Sequence, residues 1–250
     1  MTALGIFPGR RSVMAPTIVA AAWAMVLTAD LTGVAGNLHH HALIEGGPPL
    51  PIATVLFLVG WIVMVAAMMV PASLLAIEAV EVATQRSPML HRAAERAGFL
   101  GALAAVWSAF GLLVFFGDDA LHHVVDATPW LAERPWLISA GVLALAGAMQ
   151  FAPATRRSLA ACRHPMARLP LTAPDSAAFR RLGLRHGLDC LGASWALMLL
   201  MFAEGFADPL WMAALTALMV YEVSGRHAGR AVSASGLVLL LIALGTLTGA

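Results

Sequence analysis

The chain has 250 residues, of which 60% are hydrophobic and only 12% are charged. A soluble domain carries about 25% charged residues, so this composition excludes a water-soluble fold and predicts an integral membrane protein. The formal net charge of +1 gives no indication of nucleic acid binding. The two cysteines, Cys162 and Cys190, lie far apart in segments where a disulfide is not favoured, which leaves free thiols or metal ligands.

The apolar segments predict an all-α, polytopic helix bundle that forms a single transmembrane domain over residues 1–250. The first segment is too long for the apolar region of a signal peptide, so we interpret it as the first span. We expect the second helix to continue past Pro71 to about Ala83, and the polar residues from Asp118 to Arg134 to form an outer loop. The seven predicted spans are residues 13–34, 52–75, 98–116, 136–152, 186–206, 210–223 and 232–247.

The positions of the arginines predict the orientation of the chain. There is no lysine, and all but one of the 15 basic residues fall in segments on one side if the N-terminus is cytoplasmic. The exception is Arg134. Because basic residues concentrate in cytoplasmic loops, we expect a multi-pass protein of the bacterial inner membrane with a cytoplasmic N-terminus and a periplasmic C-terminus.

A stripe of aromatic and thioether side chains occupies the second span. Residues three and four apart share a helix face, so Trp61, Met64 and Met68 line up, and Met69 follows directly. Thioether sulfur is soft and suits Cu(I) far better than a hard cation. The alternative interpretation is that these methionines fill gaps between packed helices.

A second group of metal-ligating side chains opens the fifth span. His186 and Cys190 are one helical turn apart, and Asp189 is placed to orient the imidazole. Met198 continues along the same helix, so that the group predicts a path for a soft cation. In the alternative interpretation, His186 and Asp189 pair at the lipid headgroups, and Cys190 is an ordinary apolar residue.

The predicted outer loops carry imidazoles that suit Cu(II) or Zn(II). Any one of them is also compatible with a solvated loop. Four glutamates lie near predicted helix ends, where partial exposure is usual. No phosphate-binding loop, hydrolytic triad or zinc-protease motif occurs, so no catalytic residue is predicted. The histidines are His39, His40, His41, His122 and His123, and the glutamates are Glu78, Glu81, Glu204 and Glu222.

From about Leu56 to Leu247, the chain resembles the bacterial family of predicted metal-binding integral membrane proteins, a domain of unknown function. The motifs are W-x-x-M-x-x-A-M-M-x-P at 61–71, R-H-G-x-x-C-x-G-x-x-W-A-L-M at 185–198, L-W-M-A at 210–213 and C-R-x-P at 162–165. Members of that family often have cysteines where this chain has Ser158, Ala193 and Ser194. If thiolates are the ligands of the family, this chain relies on methionine and histidine or serves as a structural subunit.

We therefore predict a membrane protein that binds a soft transition metal and delivers or transports it. Copper is the first choice and zinc the second. The expected partners are the lipid bilayer and a membrane or periplasmic protein, with no nucleic acid, and the sequence leaves the oligomeric state open. One alternative is a non-catalytic structural or assembly subunit of a larger membrane complex. A further one is a copper or haem redox enzyme that uses His186 as a ligand. The predicted ligands are Met64, Met68, Met69, His186, Cys190 and Met198, with Asp189 behind them.

Overall fold

The computed structural model describes residues 13–37, 43, 47–85, 87–165, 176–204 and 208–249. Within these ranges the chain is helical and contains no strand. The helices are α1 (Met14–Leu31), α2 (Val34–Asn37), α3 (Leu50–Ala72), α4 (Leu74–Ala83), α5 (Met89–Asp126), α6 (Pro129–Ala132), α7 (Trp136–Met149), α8 (Pro153–Arg163), α9 (Ser176–Glu204), α10 (Pro209–Ser224) and α11 (Ala228–Thr248).

Four of these helices, α1, α3, α5 and α11, are long and apolar enough to cross a bilayer. Helices α7 and α8 form a fifth candidate if they are taken together as one span, bent by 63°. Helix α10 is apolar but has only 16 residues. The described part of the chain is thus all-helical, with four to five helices that could span a membrane, while the seven spans and the orientation stay predictions.

Helix α3 ends where a proline removes one of its hydrogen bonds. Pro71 has no N–H, so the carbonyl of Ala67, four residues earlier, loses its usual donor. The indole Nε1 of Trp23 on α1 donates to that carbonyl at 3.1 Å. The helix then breaks at Ser73. The predicted continuous helix to Ala83 is therefore wrong, and its second part is the separate helix α4.

Helix α5 is longer than its predicted span because it continues to Asp126. The prediction of an outer loop starting at Asp118 is therefore wrong for residues 118–126. Polar residues at helical spacing can interact with one another along the helix, as the approach of His122 Nδ1 to within 3.7 Å of Asp118 Oδ2 illustrates. Polarity alone did not end the helix.

Small residues allow α9 to lie directly against α5. A Cβ atom at Gly183 would lie 2.4 Å from the carbonyl oxygen of Phe99, and one at Gly187 would lie 3.1 Å from Val106. Two glycines four residues apart are a common means of close packing between membrane helices. This contact holds the middle of α9 beside the centre of α5.

Helix α3 packs against α1, α5 and α10 in the centre of the bundle. The indole Nε1 of Trp61 on α3 donates to the carbonyl of Trp107 on α5 at 2.8 Å. A side chain at Gly111 would collide with that indole, 2.5 Å away. The two tryptophans are fully buried, so this contact fixes α3 and α5 just outside the region where the sulfur-containing side chains meet.

Candidate metal centre

Two sulfur atoms from different helices meet in the core. The Sγ atom of Cys190 on α9 lies 3.8 Å from the Sδ atom of Met69 on α3. Cys190 is 6% exposed and Met69 is fully buried. The hydroxyl of Ser194, one turn along α9, donates to the carbonyl of Cys190 at 2.9 Å and lies 3.9 Å from the Met69 sulfur. A thiol and a thioether therefore share one dry location between α3 and α9.

A cleft next to this pair brings in further sulfur atoms. Its walls include Cys162 from α8, Met219 from α10, and Cys190 and Ser194 from α9. Cys162 and Met219 are each 3% exposed, and neither cysteine forms a disulfide within the described residues. From the sequence, Cys162 was identified only as a thiol or metal ligand and as part of a family motif. Met219 was not predicted, because the sequence does not show that α10 lies next to α8 and α9.

A buried polar network closes the same cleft. The Oε1 atom of Glu222 accepts hydrogen bonds from Gln150 Nε2 and Ser235 Oγ, both at 3.0 Å, and Arg163 Nε donates to the Glu222 carbonyl at 3.0 Å. Glu222 lines the cleft and is only 2% exposed. The expectation of partial exposure was wrong for this residue because helices α7, α8 and α11 surround it.

The predicted methionines other than Met69 lie in the same hydrophobic core as the sulfur pair. Met64, Met68 and Met198 are between 0% and 2% exposed. This placement is compatible with a soft-metal path and equally with ordinary packing. Their role as ligands therefore stays a prediction.

The predicted imidazole and carboxylate lie in a neighbouring cleft. His186 and Asp189 line a space that also includes Ala161 and Pro165. The His186 ring stacks on Phe99, with ring centroids 5.9 Å apart. His186 lies one turn of α9 before Cys190 and lines a different cleft from the one that Cys190 lines.

The structure describes only two of the five histidines that were predicted to lie in outer loops. His39, His40 and His41 lie outside the described residues, whereas His122 and His123 lie near the end of α5. Among the described residues, no group of three or more histidine, cysteine, aspartate or glutamate side chains is arranged to hold a metal ion. Methionine is not one of those residue types, so a site built from thiol and thioether sulfur remains compatible with the structure.

Comparison with protein families connects the chain to copper. A sequence model of the PpoB2 family, which is described as a copper chaperone, matches residues 58–246. This match supports the connection with copper that was predicted from the sequence. It does not confirm that the family consists of metal-binding integral membrane proteins. No curated protein and no solved structure matches the chain. Because the family match covers more than half of the 250 residues, the chain belongs to the PpoB2 copper chaperone family.

Proposed function

We propose that this protein binds Cu(I) within the bacterial inner membrane, at Cys190 and Met69, and delivers it to a partner protein. The observation that carries the proposal is the buried contact of 3.8 Å between the thiol and the thioether, in a chain of a copper chaperone family. Thiolate and thioether sulfur select Cu(I) among biological metals. Both ligands come from separate helices, so their relative position is fixed by the fold.

The adjoining cleft gives the proposed site a route for exchange. Cys162 and Met219 also line it, and we propose that they hold the ion as it enters or leaves. The family resemblance supports the proposal that the ion passes through this cleft. Ala193 and Ser194, two positions at which members of that family often have cysteines, also line it. Ser158 is the third such position. Its Oγ atom would lie 2.5 Å from a Cβ atom added at Gly192.

The orientation that we propose puts this cleft near the cytoplasmic side. With seven spans and a cytoplasmic N-terminus, α3 ends and α9 begins at the inner face, so the sulfur pair lies in the inner half of the bundle. Met64, Met68 and Met198 then lie farther toward the periplasm. We extend the proposal to transport, in which Cu(I) crosses the membrane along these thioethers.

The test is copper binding by the purified protein in detergent. Anaerobic titration with Cu(I) against a chromophoric chelator gives the affinity, and elemental analysis of the loaded protein gives the copper content. The variants are Cys190→Ala, Met69→Leu and Cys162→Ala, with Met212→Leu as the matched control. Met212 is 1% exposed in the same core but does not line the cleft, and Leu conserves its volume.

We expect near-stoichiometric copper in the wild type and in Met212→Leu, and strong loss in Cys190→Ala and Met69→Leu. A smaller loss in Cys162→Ala would assign that thiol to exchange rather than to tight binding. Equal copper binding by all variants would refute the proposed site. No copper in the wild type, together with a stable partner on purification, would favour a structural subunit instead.

A further inference from the structure

Helix α8 forms one wall of the cleft that Cys190 lines, which we call the sulfur cleft. Leu159 and Cys162 are the residues of α8 in that wall. The helix has 11 residues and meets α7 at an angle of 63°, and residues 150–152 connect the two helices. A short helix that follows a bend is held in place by its contacts with other elements, so the contacts of α8 decide where the Cys162 thiol lies.

One residue of α10, Glu222, bonds to the chain on both sides of α8. Its Oε1 atom accepts a hydrogen bond from Gln150 Nε2 at 3.0 Å, and Gln150 lies at the bend between α7 and α8. Its backbone carbonyl accepts from Arg163 Nε at 3.0 Å and also from Arg163 Nη2, and Arg163 is the last residue of α8. Glu222 therefore clamps both ends of the helix that carries Cys162.

The bond from Arg163 has a physical reason at the end of α10. That helix ends at Ser224, so the Glu222 carbonyl belongs to its last turn, where carbonyl groups have no donor within the helix. The partial negative charge there favours a cation, and a charged donor makes a stronger hydrogen bond than a neutral one. Cys162 directly precedes Arg163. The contact that holds the guanidinium thus also holds the backbone that carries the thiol.

The Cys162 side chain must change its position for copper to leave by way of this thiol. It is 3% exposed, and a copper acceptor has to bring its own ligands into contact with the ion. We propose that Arg163 and Glu222 are positioning residues that clamp α8, hold the Cys162 thiol in the wall of the sulfur cleft, and control the rate of Cu(I) exchange. The exchange role rests on the proposed function, whereas the clamp can be tested without copper.

The first test is the rate at which Cys162 reacts with a water-soluble maleimide in the purified protein. The chain has two cysteines, so a Cys190→Ser background leaves Cys162 as the single target. In this background Arg163→Ala removes the clamp at the end of α8, and Arg163→Lys keeps the charge. Gln150→Leu removes the clamp at the bend.

Two controls separate the clamp from other effects. Arg156→Ala removes another arginine of α8, whose hydrogen bond to Ser233 Oγ is exposed and 3.4 Å long. Trp23→Phe removes a hydrogen bond between α1 and the Ala67 carbonyl of α3. It therefore lowers the stability of the protein without removing a contact of the clamp.

We expect Arg163→Ala and Gln150→Leu each to react about ten-fold faster than the parent, since the loss of one hydrogen bond to or from a charged group shifts a local opening equilibrium by about that factor. Arg163→Lys should fall between, because an ammonium keeps the charge but not the planar, forked geometry of the guanidinium. Arg156→Ala and Trp23→Phe should react at the rate of the parent.

The second test is the rate at which the copper-loaded protein, with Cys190 intact, releases Cu(I) to a chromophoric chelator. Arg163→Ala should release the ion faster by the same factor, because the exchange thiol is exposed more often. The affinity at equilibrium should change less than the rate, because Cys190 and Met69 still bind the ion and more frequent opening speeds both its entry and its exit.

Unchanged maleimide reaction rates in both clamp variants would overturn the inference. An equal increase in Trp23→Phe would overturn it too, because it would assign the effect to a general loss of stability. A faster maleimide reaction with an unchanged rate of copper release would refute the control of exchange. If the wild type binds no copper, the proposed function fails and the exchange role with it, while the maleimide reaction rates still decide whether the clamp holds Cys162.

Discussion

Replacing Gly183 by alanine tests whether the contact between α9 and α5 is as close as the structure shows. The added Cβ atom would lie 2.4 Å from the carbonyl oxygen of Phe99 and 3.0 Å from the Cβ atom of Ala102. Neither neighbour is the flexible end of a side chain. Ordinary contact begins at 3.4 Å, so α9 must move away from α5 by about 1 Å in this tightly packed interior.

The magnitude follows from two opposing effects. Overpacking of a core costs about 1–3 kcal/mol, and we expect the upper end because backbone atoms cannot rotate away. Alanine gains about 1 kcal/mol over glycine in a helix. The expected result is a net loss of about 2 kcal/mol in the free energy of unfolding. Since Cys190 is two turns farther along α9, the shift should also weaken Cu(I) binding.

Gly101→Ala is the matched control, because Gly101 is exposed on α5 and a Cβ atom there would have no neighbour within 4 Å. The assay is unfolding in mixed micelles with a rising fraction of denaturing detergent, followed by circular dichroism. Gly101→Ala should be as stable as the wild type or slightly more stable. If Gly183→Ala unfolded at the same detergent fraction as Gly101→Ala, the close approach of the two helices would be refuted.

Three further predictions use the same unfolding assay. Trp23→Phe should cost about 1–3 kcal/mol because it leaves the Ala67 carbonyl without its donor, whereas Trp130→Phe, at an exposed indole, should be neutral. Asp208→Ala should cost about 1 kcal/mol because the carboxylate caps the first N–H groups of α10, and Asp208→Asn should restore most of it. Glu222→Leu should cost about 1–3 kcal/mol for each buried donor left unsatisfied. Glu222→Gln should cost less, and equal losses of stability in the two variants would contradict the network.

The helical structure, and the presence of helices long and apolar enough to cross a membrane, were predictable because the length and hydropathy of a segment are local properties. The chemistry of the candidate ligands was predictable for the same reason, since a soft side chain is visible in one residue. Met69 and Cys190 were both chosen in this way. Their contact joins residues 121 positions apart, and only the three-dimensional structure, which brings the two side chains together, reveals it.

The features that the sequence did not predict depend on neighbours from other helices. Glu222 looked exposed because its position near a helix end is visible in the sequence, whereas its partners are Gln150, directly after α7, and Ser235 on α11.

The charge balance of the proposed site favours Cu(I) over Zn(II). One thiolate from Cys190 and the neutral thioether of Met69 carry a single negative charge, which one Cu(I) ion cancels. Zn(II) bound by the same two atoms would leave a positive charge in a buried region, at a cost of several kcal/mol. Zinc also prefers four nitrogen, thiolate or carboxylate ligands, so it would need Cys162 as a second thiolate and further donors as well. If the proposed site is correct, we therefore expect zinc binding to depend on Cys162, and Cu(I) binding to depend first on Cys190 and Met69.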